Sequence, residues 1–248
     1  DDEYNTNTEN YVSWNWKANG AGSNDTSGDI DATVSANSTA GFSIVKYIAN
    51  GTAGATVPHG LGVAPEMVFY KRYDASSSWF CWTTAIDGSD DYMVLNGTDA
   101  ATAVTSAQSG GASFTSSFIR AVNYSNTNTI VAYCFASKDA YSSIGSYTGN
   151  GAADGPMIVT GFRPALILVK RTDATNNWVF YDVKRNTFNA IDKTIYTDTA
   201  AAEGTYSGGD ILSNGFKVRY TGGMLNTDGG TYLYMAFAES PFKTANAR

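Results

Sequence analysis

The sequence has one histidine, two cysteines and no CxxC motif, and these shortages exclude several kinds of site. A structural zinc centre takes about four nitrogen or sulfur ligands, more than this chain can supply. A Ser-His or Cys-His nucleophile would have to use His59, which lies in a Gly-rich turn and has no counterpart in the second half of the chain. We therefore interpret His59 as a turn residue rather than a catalytic base.

Charged residues and long apolar runs are also scarce. Only 16% of residues are charged, and the net charge of −7 gives no basic face of the kind that binds nucleic acid. No apolar run approaches the length of a membrane-spanning helix. No P-loop or dinucleotide-binding glycine motif is present. Neither nucleic acid, membrane insertion nor a nucleotide cofactor is expected.

The composition instead favours β structure. Twenty-five glycines, many Thr, Ser and Asn residues and 13% aromatics are typical of strands joined by many turns. Turn signals recur about every ten residues, as in an antiparallel sandwich, and no segment keeps a helical period.

One stretch of the chain occurs twice. Met67–Ala75 followed by Trp79–Trp82 returns as Leu166–Ala174 followed by Trp178–Tyr181, with Lys-Arg-x-Asp-Ala at one offset (170 − 71 = 99). Each copy predicts a β-hairpin with a polar turn. The matched positions that we expect to form a repeated core are Trp79, Trp178, Phe135 and Phe237.

The repeat predicts an all-β fold of two tandem, homologous, antiparallel β-sandwich lobes of about 100 residues, jelly-roll or lectin-like in layout. The first lobe is expected over residues 41–140 and the second, with a C-terminal tail, over residues 141–248. Residues 1–40 are interpreted as a polar lead-in with one strand, 11–16, and a linker. Two later stretches, 131–136 and 233–238, resemble that strand and each close a repeat, so we expect a parent protein with more repeats. The alternative is that the strand completes the sheet of the first lobe.

Cys81 and Cys134 both lie in predicted strands. Two small buried side chains are the favoured interpretation, and a disulfide across the core is the alternative. The repeated Lys71-Arg72 and Lys170-Arg171 pairs allow a structural role, through the nearby Asp, or the binding of an anionic sugar. The recurring Asp74 and Asp173 are explained by turns rather than by glycoside hydrolysis, so no catalytic residue is predicted.

An acidic loop in the first repeat is the candidate ligand site. Sugar sites combine an aromatic ring with carboxylate or amide acceptors, and Asp87, Asp90, Asp91 and Tyr92 offer such a set in an unrepeated loop. Calcium bound by the three carboxylates is an alternative to solvated loop charge, although no EF-hand spacing is present. Other unrepeated segments are 97–111 and 184–210.

Four motifs carry a family resemblance. They are the Gly-Phe-Ser-Ile-Val to Gly-Val-Ala-Pro run at 41–65, Gly-Ser-Tyr-Thr-Gly-Asn-Gly to Asp-Gly-Pro at 145–156, Val-Lys-Arg-Thr-Asp-Ala at 169–174, and the ending at 234–248. The chain resembles, over residues 11–248, an uncharacterised repeated β-sandwich domain in the C-terminal region of large tail or appendage proteins of tailed phages, often marine ones. That family offers no catalytic motif to transfer.

The resemblance implies a non-enzymatic virion module, the host-recognition part of a tail fibre or appendage that binds surface glycans. The alternatives are a purely structural virion protein, for capsid decoration or tail assembly, and a polysaccharide depolymerase. Expected partners are other virion proteins and a host-surface glycan or protein. By analogy with fibres we expect a homo-oligomer, with a trimer as the first choice.

Overall fold

The computed structural model describes residues 6–122 and 125–242, so the first five residues of the predicted lead-in and the last six of the tail lie outside it. The fold is nearly all-β. Within the described ranges no helix is long and apolar enough to cross a membrane. The elements are β1 (Ser23–Asp25), β2 (Ala32–Asn37), β3 (Phe42–Ile48), β4 (Thr56–Pro58), β5 (Met67–Arg72), β6 (Trp79–Thr83), β7 (Asp91–Val94), β8 (Thr102–Ala103), α1 (Ser106–Ser109), β9 (Phe118–Arg120), β10 (Thr129–Phe135), β11 (Ser142–Thr148), β12 (Met157–Val159), β13 (Pro164–Arg171), β14 (Trp178–Asp182), β15 (Ile191–Tyr196), β16 (Gly204–Leu212), β17 (Gly215–Val218) and β18 (Thr231–Ala238).

The strands form two large antiparallel sheets. The first sheet has the order β1-β2-β3-β10-β5-β6-β7-β8 and the second the order β11-β18-β13-β14-β15-β16-β17-β12. A separate ribbon pairs β4 with β9. The run β3-β10-β5-β6-β7 of the first sheet has the same order as β11-β18-β13-β14-β15 of the second.

The register of the strands follows the sequence repeat. Lys71 lies opposite Trp79 in the first sheet, as Lys170 lies opposite Trp178 in the second. The last strand of each repeat is placed in the same way, because Phe135 and Phe237 pair with the matched residues Met67 and Leu166. These four positions therefore have matching partners in the two sheets.

Both faces of the central strands are covered by apolar side chains. In β5, Val68 and Tyr70 point to one face, and Met67 and Phe69 point to the other. Three clusters result from this alternation. The first cluster lies between the first sheet and the β4–β9 ribbon. The second cluster packs on the corresponding face of the second sheet, away from the first sheet. The between-sheet cluster joins the inner faces of the two sheets around Phe42, Met67, Phe69, Cys81, Met93, Phe135, Ile144, Leu166, Leu168, Trp178, Leu233, Met235 and Phe237.

Two expectations for residues 1–40 are corrected. Residues 11–16 form no strand; Trp14 and Trp16 alternate as predicted, but they pack on the between-sheet cluster without a ladder partner. The expected linker 17–40 contains β1 and β2. Ala32 and Val34 alternate into the first cluster within β2, a short apolar pattern that the surrounding Gly, Ser and Asn residues obscure.

The two cysteines are free and buried on opposite faces of the first sheet. The side chain of Cys81 belongs to the between-sheet cluster, and that of Cys134 belongs to the first cluster. A disulfide would have to pass through the sheet, so that alternative is wrong. The interpretation of two small buried side chains is confirmed.

Candidate functional site

The repeated Arg-x-Asp motif closes the hairpin turn and holds the next strand. Arg72 Nε lies 2.5 Å from Asp74 Oδ1, and Asp74 Oδ2 accepts the backbone N–H of Thr129, the first residue of β10, at 2.8 Å. The hydrogen bond from Arg72 lowers the pKa of the Asp74 carboxyl. The second copy makes the same contacts through Arg171, Asp173 and Thr231. The structural interpretation of these arginines is confirmed.

The two repeated lysines have different surroundings. Lys71 donates to the carbonyl oxygen of Ser77 and lies 5.9 Å from the centre of the Trp79 ring. Lys170 is fully buried and donates to the carbonyl oxygens of Thr98 at 3.1 Å and Arg171 at 2.7 Å. Burial lowers the pKa of Lys170 to about 8. Only Lys71 is partly open to solvent and so available to a ligand.

The predicted acidic loop is only partly available for binding. Asp87 is exposed, and its carboxylate accepts the N–H and hydroxyl of Ser89. Asp90 accepts the Ser113 hydroxyl at 2.6 Å. Asp91 is 8% exposed, and burial raises the pKa of its carboxyl. Tyr92 packs against the first cluster beside Phe80. Sugar binding by these four residues stays a prediction. Asp87 is the most accessible of the four.

Metal binding gains no support from the geometry. The described residues contain no group of three or more His, Cys, Asp or Glu side chains placed to hold an ion. Calcium binding by the three carboxylates of the acidic loop therefore stays an untested alternative.

His59 is buried between two backbone groups. Its Nε2 lies 3.1 Å from the carbonyl oxygen of Thr115, and its Nδ1 accepts the N–H of Leu61 at 3.3 Å. These partners assign the neutral tautomer with its proton on Nε2. Burial lowers the pKa of the imidazole. Both nitrogens serve to hold the turn, in agreement with the sequence interpretation.

A cleft of about 360 Å³ opens between the two sheets. Its walls come from the inner faces of both sheets, and the segment containing Trp14 and Trp16 forms one side. The lining is almost wholly aromatic and aliphatic: Trp14, Asn15, Trp16, Phe42, Ile44, Phe69, Trp79, Leu95, Tyr133, Phe135, Leu166, Leu168, Phe180, Met235 and Phe237. Apolar concave sites with a few polar groups are the usual form of a ligand pocket.

Packed rings build the cleft. Trp14 stacks on Phe180 with ring centres 4.7 Å apart, and Trp16 meets Phe237 edge-on at 5.2 Å. Trp79 stacks on Tyr133 at 6.0 Å. Trp14, Trp79, Tyr133 and Phe180 are each partly exposed, so they offer ring surface to a bound molecule.

The cleft places three of the four predicted core residues on its walls. Phe135 and Phe237 are buried there, whereas Trp79 is partly open, and Trp178 is completely buried nearby. The sequence analysis, which placed the candidate ligand site in the acidic loop, did not predict this cleft. The run Met67-Val68-Phe69-Tyr70, apolar at every position, was the available signal, because such a strand has both faces covered.

A strongly exposed ring outside the cleft lies within the unrepeated segment 184–210. Phe188 is 83% exposed on the turn between β14 and β15. Asn186 accepts the N–H groups of Asp192 and Lys193, and Asn189 exchanges two hydrogen bonds with Ile211. The turn that carries Phe188 is therefore fixed on both sides of the ring.

A family model described as "Domain of unknown function (DUF7483)" matches residues 1–241. No curated protein matches the chain. No solved structure matches it either.

Proposed function

We propose that this chain, which belongs to the DUF7483 family, is a non-enzymatic module of a phage virion that recognises the host by binding surface glycans. The observation that carries the proposal is the cleft between the sheets, with partly exposed rings of Trp14, Trp79 and Phe180 along it. The resemblance of the repeated motifs to tail and appendage proteins of phages supports placement in the virion, in a tail fibre or similar appendage.

The fold proposal is a tandem pair of β-sandwich lobes, jelly-roll or lectin-like in layout. Its support is the matched strand order and register of the two sheets, and the presence of one apolar cluster behind each. In this arrangement the lobes meet by their inner sheet faces, and the cleft lies where that contact is incomplete.

The lining of the cleft selects a class of sugar. A saccharide ring stacks its C–H face on an aromatic side chain, and its hydroxyls need polar partners. Asn15 supplies an amide at the cleft, and the amine of Lys71 lies by the Trp79 ring. Because the other walls are apolar, we expect a preference for deoxy or N-acetyl sugars, whose methyl groups can be buried.

Multivalency gives such a site its strength. A single shallow sugar site binds in about the millimolar range, or roughly 4 kcal/mol. Several copies on one appendage bind far more tightly, because the second contact is made at high effective concentration. We therefore propose a homo-oligomer, a trimer by analogy with fibres.

A glycan array with the multivalent protein tests the proposal. We expect binding of deoxy or N-acetyl glycans that Trp79→Ala removes. Phe188→Ala is the matched control, since that ring lies outside the cleft lining. Asp87→Asn tests the acidic loop with less risk to the fold than replacement of the buried Asp91.

The other outcomes identify the alternatives. Binding lost in Asp87→Asn and kept in Trp79→Ala would move the site to the acidic loop. No binding at high valency would favour a purely structural virion module. Release of reducing ends from a polysaccharide would show a depolymerase.

A further inference from the structure

Within the described residues, strand β11 lacks a neighbour that its counterpart β3 has. In the first sheet, β3 lies between β2 and β10, with β2 paired along it from Tyr47 to Phe42. Among the strands that the structure describes, β11 is the outermost of the second sheet, and its one strand partner is β18. The residues that would match β2 by the repeat, near 132–137, belong largely to β10 and the turn after it.

Where the chain is described, only the first part of the β11 edge has backbone partners. Ser142 exchanges two backbone hydrogen bonds with Lys138, and the N–H of Ile144 donates to the Ser137 hydroxyl. Antiparallel strands alternate the direction of their backbone groups, so Ser146 and Thr148 point the same way as Ser142. In the described part of the chain, neither the N–H nor the carbonyl oxygen of Ser146 or Thr148 has a hydrogen-bond partner.

Side-chain burial shows what the missing strand would cover. Tyr47 of β3 is 2% exposed and Val45 is 0% exposed. Their counterparts in β11, Tyr147 and Gly145, are both partly exposed. The Tyr234 ring lies over Gly145, where an added Cβ would meet its hydroxyl oxygen at 3.0 Å. Part of the face of the second sheet that carries the second cluster is therefore open beside the free edge.

Edge strands usually carry features that prevent pairing with another chain. The other outermost strands are short, with three residues in β1, two in β8 and three in β12. β11 has seven residues, Ser-Ser-Ile-Gly-Ser-Tyr-Thr, without a charge or a proline. Uncharged edges invite strand addition, and the part of β11 after Ile144, which Ser137 and Lys138 do not cover, has none of the devices that suppress it.

We propose that the open end of the β11 edge, residues 145–148, accepts an extended strand from another protein chain, in the place that the first half of β2 occupies against β3. The new strand pairs its backbone with Ser146 and Thr148 and continues the second sheet by one member. This inference does not depend on glycan binding, and it identifies the surface through which a second polypeptide joins this module.

The pairing of β2 defines the chemistry of the partner strand. Ala32 lies opposite Tyr47, and Val34 lies opposite Val45, with both side chains directed into the first cluster. A strand on β11 would place its equivalent residues opposite Tyr147 and Gly145. We therefore expect an uncharged segment with small apolar residues at alternate positions, facing the second cluster.

A labelled peptide with the sequence of residues 32–38 is the probe, because it is uncharged and contains β2, the strand that covers the matched edge. Fluorescence anisotropy with the full chain should show saturable binding. Ser146→Pro removes an outward N–H and should weaken binding about tenfold or more. Ser146→Ala keeps that N–H and should bind within about twofold of the original protein. Hydrogen exchange should slow at Ser146 and Thr148 when the peptide is bound.

Further controls keep the test decisive if Ser146→Pro does not fold. A peptide with Asp in place of its valine should bind about tenfold more weakly to the unaltered chain. Trp79→Ala should leave peptide binding unchanged, which separates this edge from the cleft. Equal binding of both peptides, or no slowing of exchange at β11, would overturn the proposal. Self-association through β11 that excludes the peptide would also overturn it, in favour of pairing between copies of this chain.

Discussion

Trp178 donates its indole N–H to the carbonyl oxygen of Val94 at 3.0 Å, and this bond joins the second sheet to the first. The ring is completely buried in the between-sheet cluster. Its repeat counterpart Trp79 occupies the same register position but lies partly open on the cleft wall. Two residues matched in sequence therefore differ in burial, because only one of them meets the opposite sheet completely.

Replacement of Trp178 tests this difference. We expect Trp178→Ala to lower the free energy of unfolding by roughly 3–5 kcal/mol, through lost burial and a cavity. Trp178→Phe keeps most of the ring and should cost less. Trp79→Ala is the matched control and should cost clearly less than Trp178→Ala in urea denaturation. Equal losses at the two positions would contradict the asymmetric packing.

The Arg171–Asp173 pair should stabilise the fold except in acid. The hydrogen bond from Arg171 lowers the pKa of the Asp173 carboxyl, so the folded state favours the ionised form. Its contribution is present above the usual carboxyl pKa and is lost as the pH falls through the lowered value. Asp173→Asn should therefore flatten the acid limb of the stability curve and reduce stability at neutral pH by at most about 1 kcal/mol, because solvent screens this partly exposed pair. Asp228→Asn is a control on a nearby exposed carboxylate.

Lys170 should give stability a positive slope in mild alkali. Its pKa is lowered to about 8 because burial disfavours the charged amine. Between that value and the usual lysine pKa the unfolded chain binds more protons, so stability rises with pH by up to about 1.4 kcal/mol per unit. The unfolding free energy of the original protein, minus that of Lys170→Met, should increase from pH 7 to pH 9. A constant difference over this range would contradict the assignment.

The two thiols should be inert in the native protein. Burial raises the pKa of Cys134 to about 12 and that of Cys81 still further, and neither side chain is exposed. A thiol reagent should label both residues only at the rate of unfolding, since the thiolate is the reactive form. The melting temperature should be the same with and without a reductant. Fast labelling of either cysteine in buffer would contradict this placement.

Much of the fold could be predicted from residue patterns, because those patterns act locally. The Lys-Arg-x-Asp-Ala turn, with Asp74 and Asp173 in the same places, indicated two matched hairpins, and the strand register agrees. A polar turn between two β-rich arms specifies a hairpin without help from distant residues. The same local reasoning failed for β2, whose pairing with β3 depends on burial of Ala32 and Val34 in the first cluster.

What the sequence alone determined was the β class, the duplication and the hairpin turns, since side-chain alternation and turn residues act over a few positions. Only the tertiary structure decided that the two sheets meet face to face, that Trp178 is buried while Trp79 lines a cleft, and that β11 keeps a free edge. Those outcomes depend on which surfaces meet across more than 80 residues of chain, as in the Trp178–Val94 bond. A repeat makes two stretches alike in sequence but does not give them the same neighbours.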